Sequence, residues 1–161
     1  MFIAKLQAAG LTYLLNKNKL IDTALRCLEN RVKYLSDTMN HPNDVANFLR
    51  LSLAPEPNEV FAVLFLDNAQ RVIAFEKLFF GTIHKAAVHP RVVVKRALEL
   101  NAAAVILAHN HPSGDTDPSE ADKKITRRLK DILAIIDVKV LDHFIVSSQT
   151  FYSFAMNNFC N

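Results

Sequence analysis

Glycine is scarce in this chain: three residues in 161, at positions 10, 81 and 114. No Gly-rich phosphate loop can be assembled from them, and their scarcity helps to segment the chain. Cysteine is as sparse. Cys27 and Cys160 lie near opposite ends with no C-x-x-C pair, the pattern of idle thiols in a reducing compartment. No apolar run approaches the roughly 20 residues needed to cross a bilayer. Lys5 and Gln7 interrupt the first residues where a signal peptide would carry its apolar stretch. A cytoplasmic protein is expected. Nor is one sign of charge in excess: the net charge is +3 and the pI near 8.9, short of what a dedicated nucleic-acid binder shows.

What is present is apolar material. Half the residues are hydrophobic and 22% are charged, and at this length roughly two-thirds of the unfolded chain's surface can be buried. No disulfide or metal is needed merely to fold, so a metal site has to be justified by its chemistry.

Residues 1–50 read as helical. Ile21, Ala24, Leu25 and Leu28 recur at helical spacing, and Asn43-Asp44-Val45 before Phe48 and Leu49 has the form of a capped short helix. Ser36 to Pro42 is a polar connection. Two prolines within Leu53-Ala54-Pro55-Glu56-Pro57-Asn58 cannot continue a helix. The expected organisation is a helical N-terminal segment over 1–53, a domain over 54–156 and a tail over 157–161. Within that domain Val60 to Leu66 is a β-rich apolar run, Asp67 to Gln70 a turn, and Arg71 to Phe80 a returning strand. Pro90 opens a helix reaching about Leu100. Ala104 to Ala108 is a strand buried on both faces, and Asn110 to Thr116 a loop. Residues 118–136 form the clearest helix, with Ala121, Ile125, Leu129, Ile132, Leu133 and Ile136 on one stripe. Strands at about 138–147 and 150–155 follow. The alternation predicts an α/β fold, and there is no repeat or low-complexity tract.

His109-Asn110-His111 directly follows the buried strand. Side chains two apart in extended backbone share a side, so both imidazoles can face one ion. Ligand sites in open α/β sheets also collect at the carboxyl ends of strands. In the next helix Asp117 is the expected N-cap, Pro118 the first helical residue and Glu120 the capping-box partner. Asp122 then lies one turn in, beside the apolar stripe, with Ser119 three residues earlier on the same side. Two histidines and a carboxylate leave a fourth tetrahedral position for water, as catalytic zinc sites do. Glu59, at the start of strand 60–66, can take a proton from that water if its strand neighbours 104–108.

The stretch H-N-H-P, six residues, S, two residues, D, from His109 to Asp122, together with an upstream strand Glu, resembles the JAMM (MPN+) metallopeptidase signature. The surrounding text, VLFLDNAQRVIAFEKLFFGT, HPRVVVKRALELNAAAVILAHNHPSGDTDPSEAD and LDHFIVS, is similar to the RadC-type branch over about residues 55–155. The resemblance implies a JAMM/cytidine-deaminase-like mixed sheet flanked by helices. It implies one Zn2+ per chain, held by His109, His111 and Asp122, with Glu59 as general base and then acid. Ser119 would hydrogen-bond the developing oxyanion, and the substrate would be a peptide or isopeptide bond. Longer RadC-type proteins carry a helix-hairpin-helix segment that binds DNA. Residues 1–50 hold a single glycine and no Gly-x-Gly hairpin, so that module is not expected in this chain.

Plainer readings stand beside these. His109 and His111 could be strand-end histidines in a polar corner, Ser119 a helix cap and nothing more, and Glu56 competes with Glu59. His84, His89 and His143 are expected to be structural or surface residues, although Asp142-His143 could reach the rim of the site. Asp115 and Asp117 are expected in the turn and the cap. Lys123, Lys124, Arg127, Arg128 and Lys130 form a basic face that is usually solvated. In a DNA-associated accessory protein it would contact phosphates, and a partner-binding scaffold is a third reading. Zinc nucleoside deaminases share the broad plan but need H-x-E with P-C-x-x-C, which this chain lacks, and H-E-x-x-H is also absent.

Overall fold

The central strand, Ala104–Asn110, is buried along all seven residues, and the described elements around it cover it. In the computed structural model, which describes residues 41–81 and 88–159 together with Lys19, Asp22 and Thr23, it lies third in a five-stranded mixed sheet. With β1 at Val60–Leu66, β2 at Val72–Phe80, β3 at Ala104–Asn110, β4 at Lys139–Val146 and β5 at Phe151–Ser153, the order is β2-β1-β3-β4-β5. β1 is antiparallel to both β2 and β3, β3 is parallel to β4, and β5 is antiparallel to β4. Three helices among the described residues flank the sheet: α1 at Pro42–Leu53, α2 at Pro90–Glu99 and α3 at Glu120–Ala134. α3 is the crossover that a parallel pair requires.

Strand alternation sorts the core into two layers. Even-numbered Ala104, Ile106 and Ala108 join Ala62, Leu64 and Leu66 beneath Val45, Phe48, Leu49 and Leu53 of α1. Odd-numbered Val105 and Leu107 join Phe61, Val63 and Phe65 beneath Val93 and Ala97 of α2 and Leu129 and Leu133 of α3. His109 continues the odd series, so its ring emerges on the α2/α3 face at the carboxyl end of β3. β4 follows the same rule only after a shift: Val140 pairs with Val105, but Asp142 pairs with Ile106, leaving Leu141 as an extra residue. That irregularity turns His143 onto the α2/α3 face, opposite Leu107.

The expected elements are present with shifted ends. β3 runs two residues further than expected, because Asn110 still pairs with Val146 and the His111 amide donates to the Val146 carbonyl at 2.9 Å. α3 is shorter at both ends. Asn43 and Asp44 lie inside the first turn of α1, behind an N-cap at His41 that makes no side-chain bond. Phe48 of α1 meets Phe75 edge-on at 5.0 Å, so helix and sheet share one core across the proline-rich turn. Most of the expected N-terminal helical stretch, Cys27, His84 and Cys160 lie outside the described residues. Of that stretch, Lys19, Asp22 and Thr23 are helical, and the Thr23 hydroxyl donates to the Lys19 carbonyl at 2.8 Å. No helix among the described residues is long and apolar enough to cross a membrane.

Phe48→Ala removes the largest side chain that α1 buries. It is expected to cost about 3–5 kcal/mol in chemical denaturation. A loss no larger than that of a surface substitution would show that α1 does not share the core.

Candidate metal centre

At the end of β3 the His109 and His111 Nε2 atoms stand 3.0 Å apart. Asp122 Oδ1 lies 3.3 Å from His109 Nε2, and Oδ2 lies 3.7 Å from His111 Nε2. One ligand-type atom from each residue falls within 4.8 Å of the other two, so this His-His-Asp group could hold a metal ion. His109 is buried, while His111 and Asp122 retain partial exposure, leaving a side open to solvent. The donor set suits zinc: two imidazole nitrogens and a carboxylate are what catalytic sites with an open position use.

Local structure aims each group. Gly114, at φ +92, folds the segment after His111 back on itself, and its amide donates to the His111 carbonyl at 3.1 Å. The turn brings the Asp115 carbonyl to 2.7 Å from His111 Nδ1. A carbonyl only accepts, so Nδ1 carries a proton, and in the neutral ring Nε2 then keeps its lone pair.

Asp122 is aimed by the start of α3, in a way that corrects the expected cap. The N-cap is Ser119, not Asp117, and the capping box is Ser119 with Asp122, not Asp117 with Glu120. The Asp117 amide is already taken by Asp115 Oδ1 at 2.9 Å, so residues 115–117 form a turn and helix starts only at Glu120. In the box the Ser119 amide and hydroxyl donate to Asp122 Oδ2 at 2.8 and 2.5 Å, and the Asp122 amide donates to Ser119 Oγ at 3.2 Å. Burial pushes the Asp122 carboxyl up, but the His109 ring and the two bonds from Ser119 outweigh it and hold the group well below the usual aspartate range.

Glu59 directly precedes β1. β1 and β3 pair antiparallel with Phe61 opposite His109, and that register extended two residues beyond the ladder would set Glu59 opposite His111. Alternation continued one residue before β1 would put it on the face of Phe61, whose ring stacks on His109 at 6.1 Å. Glu56, the competing carboxylate, is instead ion-paired with Lys77 at 2.6 Å.

Residues 39–159 match the family model described as RadC-like JAB domain. The chain belongs to this family. It is 53% identical over 135 residues to a UPF0758 protein of Methylibium petroleiphilum, covering 84% of this chain and 60% of that protein. It is 51% identical over 139 residues to one of Vibrio cholerae, covering 86% and 87%. To the UPF0758 protein YkfG of Escherichia coli it is 51% identical over 137 residues, covering 85% and 87%.

In this RadC-like JAB domain three polar residues that spacing did not assign to the site support it. Asn110 is 1% exposed. Its Oδ1 accepts from the Val60 amide at 2.7 Å, and its Nδ2 donates to the Asn58 and Glu56 carbonyls at 3.0 and 3.3 Å. It thereby clamps the backbone on both sides of Glu59 to the end of β3. His143 is fully buried rather than at the rim, with Nε2 2.8 Å from His109 Nδ1 and Nδ1 2.6 Å from Thr126 Oγ1. The Asp142-His143 pair drew notice in the sequence, but nothing there signals Thr126. His89 is the N-cap of α2, with no side-chain cap bond, and meets Phe79 edge-on. The basic face of α3 is partly engaged within the protein: Lys123 pairs with Glu120 at 2.6 Å, and Arg127 lies 4.8 Å over the Phe159 ring.

Asn110→Ala strands the buried Val60 amide and is expected to cost about 1–3 kcal/mol, with faster hydrogen exchange at Val60. Unchanged exchange there would disprove the clamp. A second expectation concerns acid. The Asp122 carboxyl sits below its ordinary 3.8, so its stabilising contribution is complete above that pH and is lost as pH falls. Metal-free Asp122→Asn should therefore lose stability less steeply than the parent on acidification below about pH 4. Asp142 has the opposite sign, because burial pushes its carboxyl up against bonds from Ser153 and Ala155. Being present in both proteins, it cancels from the comparison, and equal slopes would refute the assignment to Asp122.

Proposed function

We propose that this chain is a zinc-dependent hydrolase of the metallopeptidase type, acting on a peptide or isopeptide bond. The observation that carries the reading is the approach of His109 Nε2, His111 Nε2 and Asp122 within 4.8 Å at one solvent-reached corner. His109, His111 and Asp122 would hold the ion. Zinc in such a set supplies Lewis acidity and lets water lose a proton near neutral pH.

The remaining work falls to the chain's own groups. Glu59 directly precedes β1, the strand paired with β3, and its carboxylate takes the proton from the attacking water and returns it to the leaving nitrogen. Asn110 holds the backbone from which Glu59 projects. Ser119 has one hydroxyl proton, which it donates to Asp122 Oδ2. It can hydrogen-bond a developing oxyanion only by turning that proton outward, while its amide keeps Asp122 in place. The family match and the His-His-Asp group support this reading together. The relatives bear only the name UPF0758, so the bond cleaved has to come from a screen.

Zinc per chain in protein purified without added metal should be near stoichiometric, and should fall sharply in His109→Ala and Asp122→Ala. Glu59→Gln should keep its zinc yet lose at least about a hundredfold in hydrolysis of whichever peptide or isopeptide substrate the parent cleaves. Undiminished turnover in Glu59→Gln would sink the mechanism, and no zinc uptake by the parent would sink the metal centre.

A further inference from the structure

We infer that His143 and Thr126 are positioning residues that fix the ring tautomer of His109, so that its Nε2 lone pair is presented to the metal. The inference rests on the metal centre proposed above and adds residues lying beneath it.

Protons can be counted along one line of hydrogen bonds. The Thr126 hydroxyl donates to the Asp122 carbonyl at 2.6 Å. A carbonyl cannot donate, and a hydroxyl has a single proton. Thr126 Oγ1 can therefore only accept from His143 Nδ1, 2.6 Å away. His143 is 0% exposed, stacked on Phe154 at 4.9 Å and met edge-on by Phe61 at 5.5 Å. No carboxylate is hydrogen-bonded to its ring among the described residues. A positive charge there would be fully buried with no carboxylate in hydrogen-bond contact with the ring, and the Asp122 carboxylate acts on it only at longer range, so the ring is neutral. Its one proton is then on Nδ1, and Nε2 is an acceptor. The atom facing that acceptor is His109 Nδ1 at 2.8 Å, which must supply the proton. A neutral His109 is left with a bare Nε2, aimed at His111 Nε2 and Asp122 Oδ1.

The line begins and ends on residues of the site. It starts at the backbone carbonyl of Asp122, passes through Thr126 and His143, and returns to His109. His111 obtains the same tautomer more simply, from the Asp115 carbonyl. Metal-ligating histidines generally donate their second ring N–H to an oxygen acceptor that orients the ring. In this protein a second, neutral histidine serves as acceptor for one ligand, and its own orientation is set by Thr126.

The test uses the full chain, with His143→Leu and His143→Gln. Leucine fills the pocket without an acceptor, whereas the glutamine amide oxygen can accept from His109 Nδ1. Two readouts are taken: long-range proton–nitrogen spectra of the metal-free protein, which report the proton-bearing ring nitrogen of each histidine, and zinc affinity by chelator competition. The parent should show His109 protonated on Nδ1. His143→Leu should lose that preference and bind zinc about 10- to 100-fold more weakly, whereas His143→Gln should keep the tautomer and stay within a few-fold of the parent. His143→Leu with the parental tautomer or parental affinity would overturn the inference. So would His143→Gln falling as far as His143→Leu, which would make ring packing the cause. If His143→Leu does not fold, Thr126→Val decides: a shifted His143 and His109 tautomer supports the line, and an unchanged one refutes it. A parent that takes up no zinc would defeat the metal centre, while the metal-free spectra would still judge the tautomer.

Discussion

A strand buried on both faces can end in polar residues only if each of them finds a partner, and β3 ends in two with a third directly after it. Its last residues, His109 and Asn110, are each 1% exposed, and His111 follows at once. Each unpaired polar atom at such depth would cost on the order of 1–3 kcal/mol, so the surroundings are built around satisfying them. Asn110 reaches across to β1, His109 reaches down to His143, and His111 reaches forward to the turn at Asp115. The three directions do not overlap, because alternation and the strand's end separate them. What remains without a protein donor is the pair of Nε2 lone pairs, and these face each other and a carboxylate. The candidate metal centre is thus what is left over once every other polar demand at the end of the strand has been met.

The start of α3 combines two requirements that compete elsewhere. A helix N-terminus needs acceptors for its free amides, and its partial positive charge favours a carboxylate. Ser119 and Asp122 supply both as a reciprocal box. The same box spends one oxygen of Asp122 on the helix and leaves the other beside His109. A capping residue that also served as a ligand would have its carboxylate fixed at no separate cost in side-chain entropy. The box also means that the hydroxyl of Ser119 starts out occupied.

Much of this was legible in the sequence, and the limit has a physical form. β1 was readable to the residue because an unbroken apolar run between a proline-rich turn and Asp67 has few alternatives. The convergence of His109 and His111 was readable because spacing two along a strand is local. Asp122 followed from helical spacing, though the cap was misplaced by two residues: D-x-x-E from Asp117 and S-x-x-D from Ser119 are both sound capping patterns. Only the bond from the Asp117 amide to Asp115 decides between them. The roles of Asn110, Thr126 and His143 depend on contacts 17 to 54 positions apart. For His143 they depend further on a single extra residue in β4. Uninterrupted alternation from Val140 would have put His143 under α1, and no local pattern announces the shift.

The two faces of the sheet divide the work that this arrangement demands. Beneath α1 the core residues of β1 and β3 are wholly aliphatic, with Phe48, Phe75 and Phe144 added. Beneath α2 and α3 the core is apolar only as far as Leu107, beyond which the same face carries His109, His143 and Thr126. A hydrogen-bonded line inside a low-dielectric layer is costly when any member is missing, so it needs surroundings that hold its geometry without its help. The α1 face supplies that rigidity, because close-packed cores resist sub-ångström displacement. The proline-rich turn between α1 and β1 couples the two. It ends at Glu59, and its backbone is held by Asn110 from the end of β3. Rigidity from one face is thereby passed to the backbone that carries Glu59.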